Sequence, residues 1–171
     1  MPLPIAHGLL GASIVAALHA QPTQHSSRPL LVGALLANAA DLDFLLVFAF
    51  HSKTWHRGFS HSIMLALAVC LIFVLYSGRQ RIREALVYGL AFASHGLLDY
   101  VTTREGSGVA LLWPFSSERF ALGWVGLSEW PSRLSGMQIV QALLVEIALF
   151  TPLLILTIGL RKLLWKDARP V

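Results

Sequence analysis

Apolar residues in this chain come in long, nearly unbroken runs, not at the alternating or three-and-four spacing of a soluble fold. A bilayer crossing takes about 20 largely apolar residues, and five stretches approach that length. The first runs from Leu3 to Ala20, and a polar loop containing His25 and Arg28 follows. The second runs from Pro29 to Phe50 and is interrupted by Asn38, Asp41 and Asp43. The third runs from His61 to Ser77, the fourth from Glu84 to Thr103, and the last from Gln138 to Leu160. Between the last two lies a Gly-, Trp-, Pro- and Ser-rich segment, 104–137, which reads as a long outer loop with short interfacial pieces. Its Trp113, Trp124 and Trp130 suit the headgroup belt. The pattern predicts an all-α, polytopic membrane helical bundle of about five transmembrane helices. Residues 1–171 form one integral membrane domain, without internal repeats.

Composition agrees. Hydrophobic residues make up 56% of the chain and charged residues 13%, about half the roughly 25% charge of a typical soluble domain. That excludes disordered, coiled-coil and nucleic-acid-binding classes. The net charge of +4 therefore reads as loop sorting, because basic residues accumulate on the cytoplasmic side of short loops. Arg28, Arg79, Arg81, Arg83, Arg161, Lys162, Lys166 and Arg169 fall on one side of a five-span chain, and Lys53, Arg57, Arg104, Arg119 and Arg133 on the other. The expected topology has the N-terminus out and the C-terminus in. The N-terminal stretch lacks a signal peptide's basic leader and is expected to be retained. The single cysteine, Cys70, can form neither an intrachain disulfide nor a thiolate cluster and reads as a small core residue.

Ionisable residues inside spans are expensive and are functional candidates by default. Under this topology His7, Asp41, Asp43, His56, His61, His95 and Asp99 gather at the outer membrane level from four different spans. His95 and Asp99 are four residues apart and share a helix face, so they can grip one cation. His56 and His61 flank a turn containing Gly58, and Ser60 is placed to cap the following span. Arg57 beside that helix start suits an anion such as phosphate. Asp41 and Asp43 are two apart, which on an ideal helix sends them to opposite faces. Either the helix breaks there, or one carboxylate ligates while the other orients a ligating imidazole. Glu146 stands alone in the last span, protonated or bonded across helices. His19, His25 and His51 read as solvated or interfacial.

A mixed His/Asp donor set favours zinc, or manganese, over calcium or magnesium. One or two divalent ions fit the number of ligands, and a pair would suit phosphoester cleavage. A serine triad through Ser60 or Ser94 has no nucleophile-elbow motif behind it.

The order of His7, then Asp41 and Asp43, then His56, Arg57, Gly58 and His61, then His95 and Asp99 with Thr102 and Gly106 resembles the YdjM-like family of bacterial inner-membrane proteins, named as metal-dependent hydrolases. The likeness covers roughly residues 1–120, including the stretch from Leu111 to Phe115. Members typically carry a proline before the first carboxylate pair, where this chain has Ala40. The resemblance implies metal-binding roles for His7, Asp41, Asp43, His56, His61, His95 and Asp99.

The expected function is hydrolysis of a lipid or lipid-linked phosphoester at the outer side of the inner membrane. In that reading Arg57 and Arg104 hold phosphoryl oxygens, Asp43 or Asp41 acts as base or orienting group, and no nucleic acid is involved. The alternatives are a transporter, which needs polar groups at several depths, and a metal-handling protein whose ion only staples helices.

Overall fold

The structure is a computed structural model that describes residues 2–19, 26–103, 108–124 and 136–167, with side chains to residue 164. The described chain is helical and contains no strand; one isolated antiparallel bridge joins Val109 to Phe120. Helix α1 covers Pro4–Leu18, and proline at its first turn suits a position whose N–H has no intrahelical partner. Helix α2, Arg28–Ala39, tightens into a 3-10 turn at Ala40–Asp43 and resumes as α3, Phe44–Phe50. His51 closes α3 in the left-handed conformation.

Helix α4, Ile63–Ser77, begins at Ser62, whose hydroxyl accepts from Leu65 N at 3.1 Å. Ser62, and not the expected Ser60, is the cap. Helix α5 is Ile82–Thr102, and α6 is Gly136–Asp167.

Two helices are long and apolar enough to cross a membrane, Arg28–Phe50 and Gly136–Leu164. A third candidate is the bent pair Lys53–His61 with Ile63–Ser77, which turns by 52°. Helix α1 falls short at 15 residues. Helix α5 is about 31 Å long at 1.5 Å per residue, yet it carries Arg83, Glu84 and Asp99. Large apolar side chains cover the outside, among them Leu35, Phe48, Leu75 and Tyr76, as a lipid-facing surface requires.

The inside is built from small residues. Ala6, Ala12, Ala16, Ala37, Ala66, Ala85, Ala91 and Ala142 are buried. Lipid is as apolar as leucine, so helices associate there by close packing instead of hydrophobic burial. A Cβ on Gly11 would run into the carbonyl of Gly33, and one on Gly33 would lie 2.5 Å from Val15. That contact sets α1 antiparallel against α2. Val15 also packs with Val87 and Ala91, which sets α1 antiparallel to α5.

This arrangement sorts the ends of the bundle. The first turns of α1, the break after α2, the start of α4 and the last turns of α5 share one end. Arg28, Arg79 and Arg81 lie at helix termini of the other. The described part of the segment between α5 and α6, 108–124, is stitched over the site end. Ala110 N donates to Arg57 O at 3.0 Å, Ile63 N to Leu111 O at 3.0 Å, Leu122 N to Tyr100 O at 2.8 Å, and Trp124 N to Val101 O at 2.9 Å. The Arg119 guanidinium donates to the carbonyls of Thr54, His56 and Gly108.

Candidate metal centre

Four segments deliver the site. His7 comes from the end of the first turn of α1, Asp41 and Asp43 from the 3-10 turn, His56, Arg57 and His61 from the loop before α4, and His95 and Asp99 from one face of α5. His7, His95 and Asp99 are fully buried, and Asp43, Arg57 and His61 nearly so.

Atoms that ordinarily seek hydrogen bonds face one another here without making them. His95 Nε2 is 3.2 Å from Asp41 Oδ1, and His61 Nε2 lies 3.7 Å from that same oxygen and 3.6 Å from Asp99 Oδ2. His7 Nε2 is 3.5 Å from Asp99 Oδ1. His7 Nε2, His61 Nε2, His95 Nε2, Asp41 Oδ1 and both Asp99 oxygens are buried with no hydrogen-bond partner among the described residues. Leaving a single such group unsatisfied costs on the order of 1–3 kcal/mol, so several at one point need a common partner.

Their separations say what kind. Ligand bonds of 2.0–2.1 Å in a tetrahedron put neighbouring donor atoms about 3.3 Å apart. The donor set fits a divalent cation. His7, His95 and Asp99 offer ligand atoms within 4.8 Å of one another, as do Asp41, His56 and His61. The two groups abut through the His95–Asp41 and His61–Asp99 contacts.

The remaining nitrogens are tethered. His95 Nδ1 meets the carbonyl of Ala37 at 2.6 Å, which leaves Nε2 as the ligating atom. Its ring stacks on that of His7 at 3.8 Å between centroids. Asp43 serves the loop. Its Oδ1 meets His56 Nδ1 at 2.9 Å, and its Oδ2 accepts from Arg57 N at 3.0 Å and Ser60 Oγ at 2.5 Å. Oδ2 is also 3.4 Å from His61 Nδ1. Of the two alternatives for the carboxylate pair, the geometry combines both: the helix tightens, Asp41 points at the imidazoles, and Asp43 braces them.

Arg57 has φ of 59°, an uncommon value for a non-glycine residue, and its Nε lies 3.2 Å from Asp99 Oδ2. It therefore reaches the cluster as expected, and Asp99 is what it meets there. Arg104, the second expected arginine, lies outside the described residues, as do His25 and Gly106. The Thr102 hydroxyl bonds its own helix at Leu98 O and takes no part.

Two participants, the Ala37 carbonyl and Gly96, were not expected from the sequence, and Ser60 was expected only as a helix cap or a triad serine. Ser60 bonds Asp43 and, at 2.8 Å, His61 Nδ1. The Ala37 carbonyl orients His95. Gly96 lets the loop seat on α5, because a Cβ there would collide with the His61 carbonyl. Of the Ala37 carbonyl and Gly96, only Gly96 left a signal, as a glycine beside a candidate ligand.

A family model described as YdjM inner membrane protein matches residues 1–166. Inner membrane protein YbcI of Escherichia coli (strain K12) is 38% identical over 110 residues, which cover 61% of this chain and 62% of that protein. The chain thus matches about three fifths of that relative's length. No solved structure matches.

Proposed function

The chain belongs to the YdjM inner membrane protein family, and for this member we propose a membrane-embedded, metal-dependent hydrolase acting on a lipid or lipid-linked phosphoester. The observation that carries the reading is the convergence, at ligand spacing and from four segments, of buried imidazole nitrogens and carboxylate oxygens that make no hydrogen bond. His7, Asp41, His61, His95 and Asp99 would hold a divalent cation, zinc by donor type, with His56 able to join through the nitrogen that Asp43 leaves open. A cation in this place supplies Lewis-acid polarisation and an activated water at neutral pH.

The chain's own residues do the rest. Asp43 and Ser60 hold His56 and His61 in one orientation, so Asp43 is a positioning residue in place of the base. The Ala37 carbonyl fixes the His95 tautomer. Arg57 places a fixed positive charge against Asp99, where negative charge developing on a phosphoryl group would meet it.

The position of the site supports a lipid-borne substrate. Glu146 of α6 sits level with the first turn of α1. Helix α6 begins ten residues earlier, at Gly136, which is about 15 Å of helix. The site then lies below the outer end of the longest apolar helix, within reach of an acyl-chain-anchored molecule.

Five crossings with the site on the outer side fit the same picture. The described basic residues Arg28, Arg79, Arg81, Arg161 and Lys162 belong to the opposite end. A transporter reading loses its deep acidic group, since the Glu146 carboxylate is taken up by backbone N–H groups.

The test is elemental analysis of the purified protein, followed by hydrolysis assays on phospholipid and polyprenyl-phosphate substrates. Stoichiometric zinc with turnover supports the proposal. Tight zinc without turnover on either class would leave a structural ion and end the hydrolase reading.

A further inference from the structure

Among the described residues, helix α6 supplies no His or carboxylate ligand to the cluster, yet it holds two polar side chains against α1. The Glu146 carboxylate is fully buried and accepts from the backbone N–H groups of Leu3 and, at 3.0 Å, Ala6. These are the N-cap and third positions of α1, the donors that a helix's own residues ordinarily satisfy. Leu3 has no side chain able to do so. At the other end, Arg161 Nη2 donates to the carbonyl of His19, the C-cap of α1, at 2.8 Å.

Fifteen residues separate Glu146 from Arg161, and α1 is itself 15 residues long, about 22 Å in each case. The two side chains therefore bracket α1 end to end, and α1 and α6 run parallel. The signs match the helix dipole: an acid at the N-terminus and a base at the C-terminus. Between the brackets, Phe150, Leu154 and Thr157 continue the covered stripe of α6 that Ala142 and Leu143 begin before Glu146, while Leu149, Ile155 and Leu156 face outward.

We propose that α6 is an electrostatic clamp that fixes the depth and rotation of α1, and that Glu146 is thereby a positioning residue for His7. His7 sits one residue beyond Ala6, in the turn whose N–H groups Glu146 holds. Sliding or rotating that turn moves an imidazole that must arrive within about 3.3 Å of its neighbours to share a cation. In lipid no hydrophobic force returns the helix to place, so the polar brackets set the register. The consequence for metal rests on the reading of the cluster as a metal centre; the clamp itself does not.

The experiment uses the full chain in lipid nanodiscs. Amide exchange at Leu3 and Ala6 should quicken at least about ten-fold in Glu146→Ala, while α4 and α5 amides keep their protection. Zinc affinity, read by chelator competition well below the unfolding temperature, should fall about 10–100-fold, the range for outer partners of ligating histidines. His7→Ala should weaken zinc in the wild-type background and add almost nothing in Glu146→Ala. Glu146→Gln keeps an accepting oxygen but loses the charge, so it serves if the alanine variant does not fold; it should show the same coupling at smaller amplitude.

Unchanged exchange at Leu3 and Ala6 overturns the clamp. Additive losses from His7 and Glu146 overturn its role in placing His7. A wild-type protein that binds no zinc sinks the hydrolase proposal instead, and the exchange data still decide the clamp.

Discussion

His61, His95 and Asp99 illustrate how a single side chain's worth here depends on which of its atoms is already taken. His95 Nδ1 and His61 Nδ1 are held by Ala37 O, Ser60 and Asp43, so each ring presents one nitrogen to the cluster. His61→Ala, His95→Ala and Asp99→Asn should each abolish stoichiometric zinc and any hydrolysis with it. Asp43→Asn should keep zinc but bind it about 10–100-fold more weakly, since it orients ligands without contributing an open oxygen. Elemental analysis beside chelator competition separates the two behaviours. An Asp43→Asn protein devoid of zinc would make Asp43 a ligand after all.

Gly96 gives a second test at this scale. Gly96→Ala removes no polar atom, but the new methyl meets the His61 carbonyl. Backbone must shift, at a cost of about 1–3 kcal/mol for overpacking, and His61 should leave its place. Thermal unfolding and zinc titration should fall together; a variant that behaves as wild type would mean that the loop does not rest on α5.

Elements differ from expectation where local polarity competes with helix continuation. The apolar run over 29–50 reads as one span, and it remains one, Arg28–Phe50, tightened locally where its carboxylates lie. The 3-10 turn at Ala40–Asp43 rotates Asp41 and Asp43 off the straight-helix positions that would send them apart. The start of α4 shows a choice between neighbours. The sequence points to Ser60 as the cap, but it is Ser62 that has the extended backbone a cap requires, φ −80° and ψ 152°. Ser62→Ala should therefore lower stability by about 1 kcal/mol and leave zinc affinity alone. Ser60→Ala should do the reverse, weakening zinc through Asp43 and His61. Paired unfolding curves and zinc titrations read this out, and equal effects on both quantities from either serine would dissolve the distinction.

For the molecule as a whole, the end bearing the cluster is opposite the end where Arg28, Arg79, Arg81 and Arg161 lie, and the parallel α1 and α6 require an odd number of crossings if both span. With Cys70 replaced, single cysteines at Lys53 and Gln80 should part cleanly. The first should react with an impermeant reagent from the outer side, and the second only after the membrane is opened. The reverse pattern would put the cluster, and its substrate, on the cytoplasmic side.

Apolar run length and the rarity of charge determined by themselves that this is a helical membrane protein, because unbroken apolar runs of about 20 residues satisfy their backbone in lipid as helices, whereas barrel strands are about half as long and alternate. The sequence also marked His7, Asp41, Asp43, His56, His61, His95 and Asp99, since ionisable groups in such runs are costly enough to need a reason. What it could not assign was their division of labour. Asp41 faces the imidazoles and Asp43 braces them because of one tightened turn; nothing in the order Ala40, Asp41, Leu42, Asp43 distinguishes the two. Glu146 stood out as a lone acid that could bond across helices, but its partners were not legible, since they are backbone N–H groups some 140 residues away and backbone is the same in every sequence. Such contacts are decided by which helices pack together, and here that rests on glycines and alanines allowing close approach, so only the tertiary structure could reveal them.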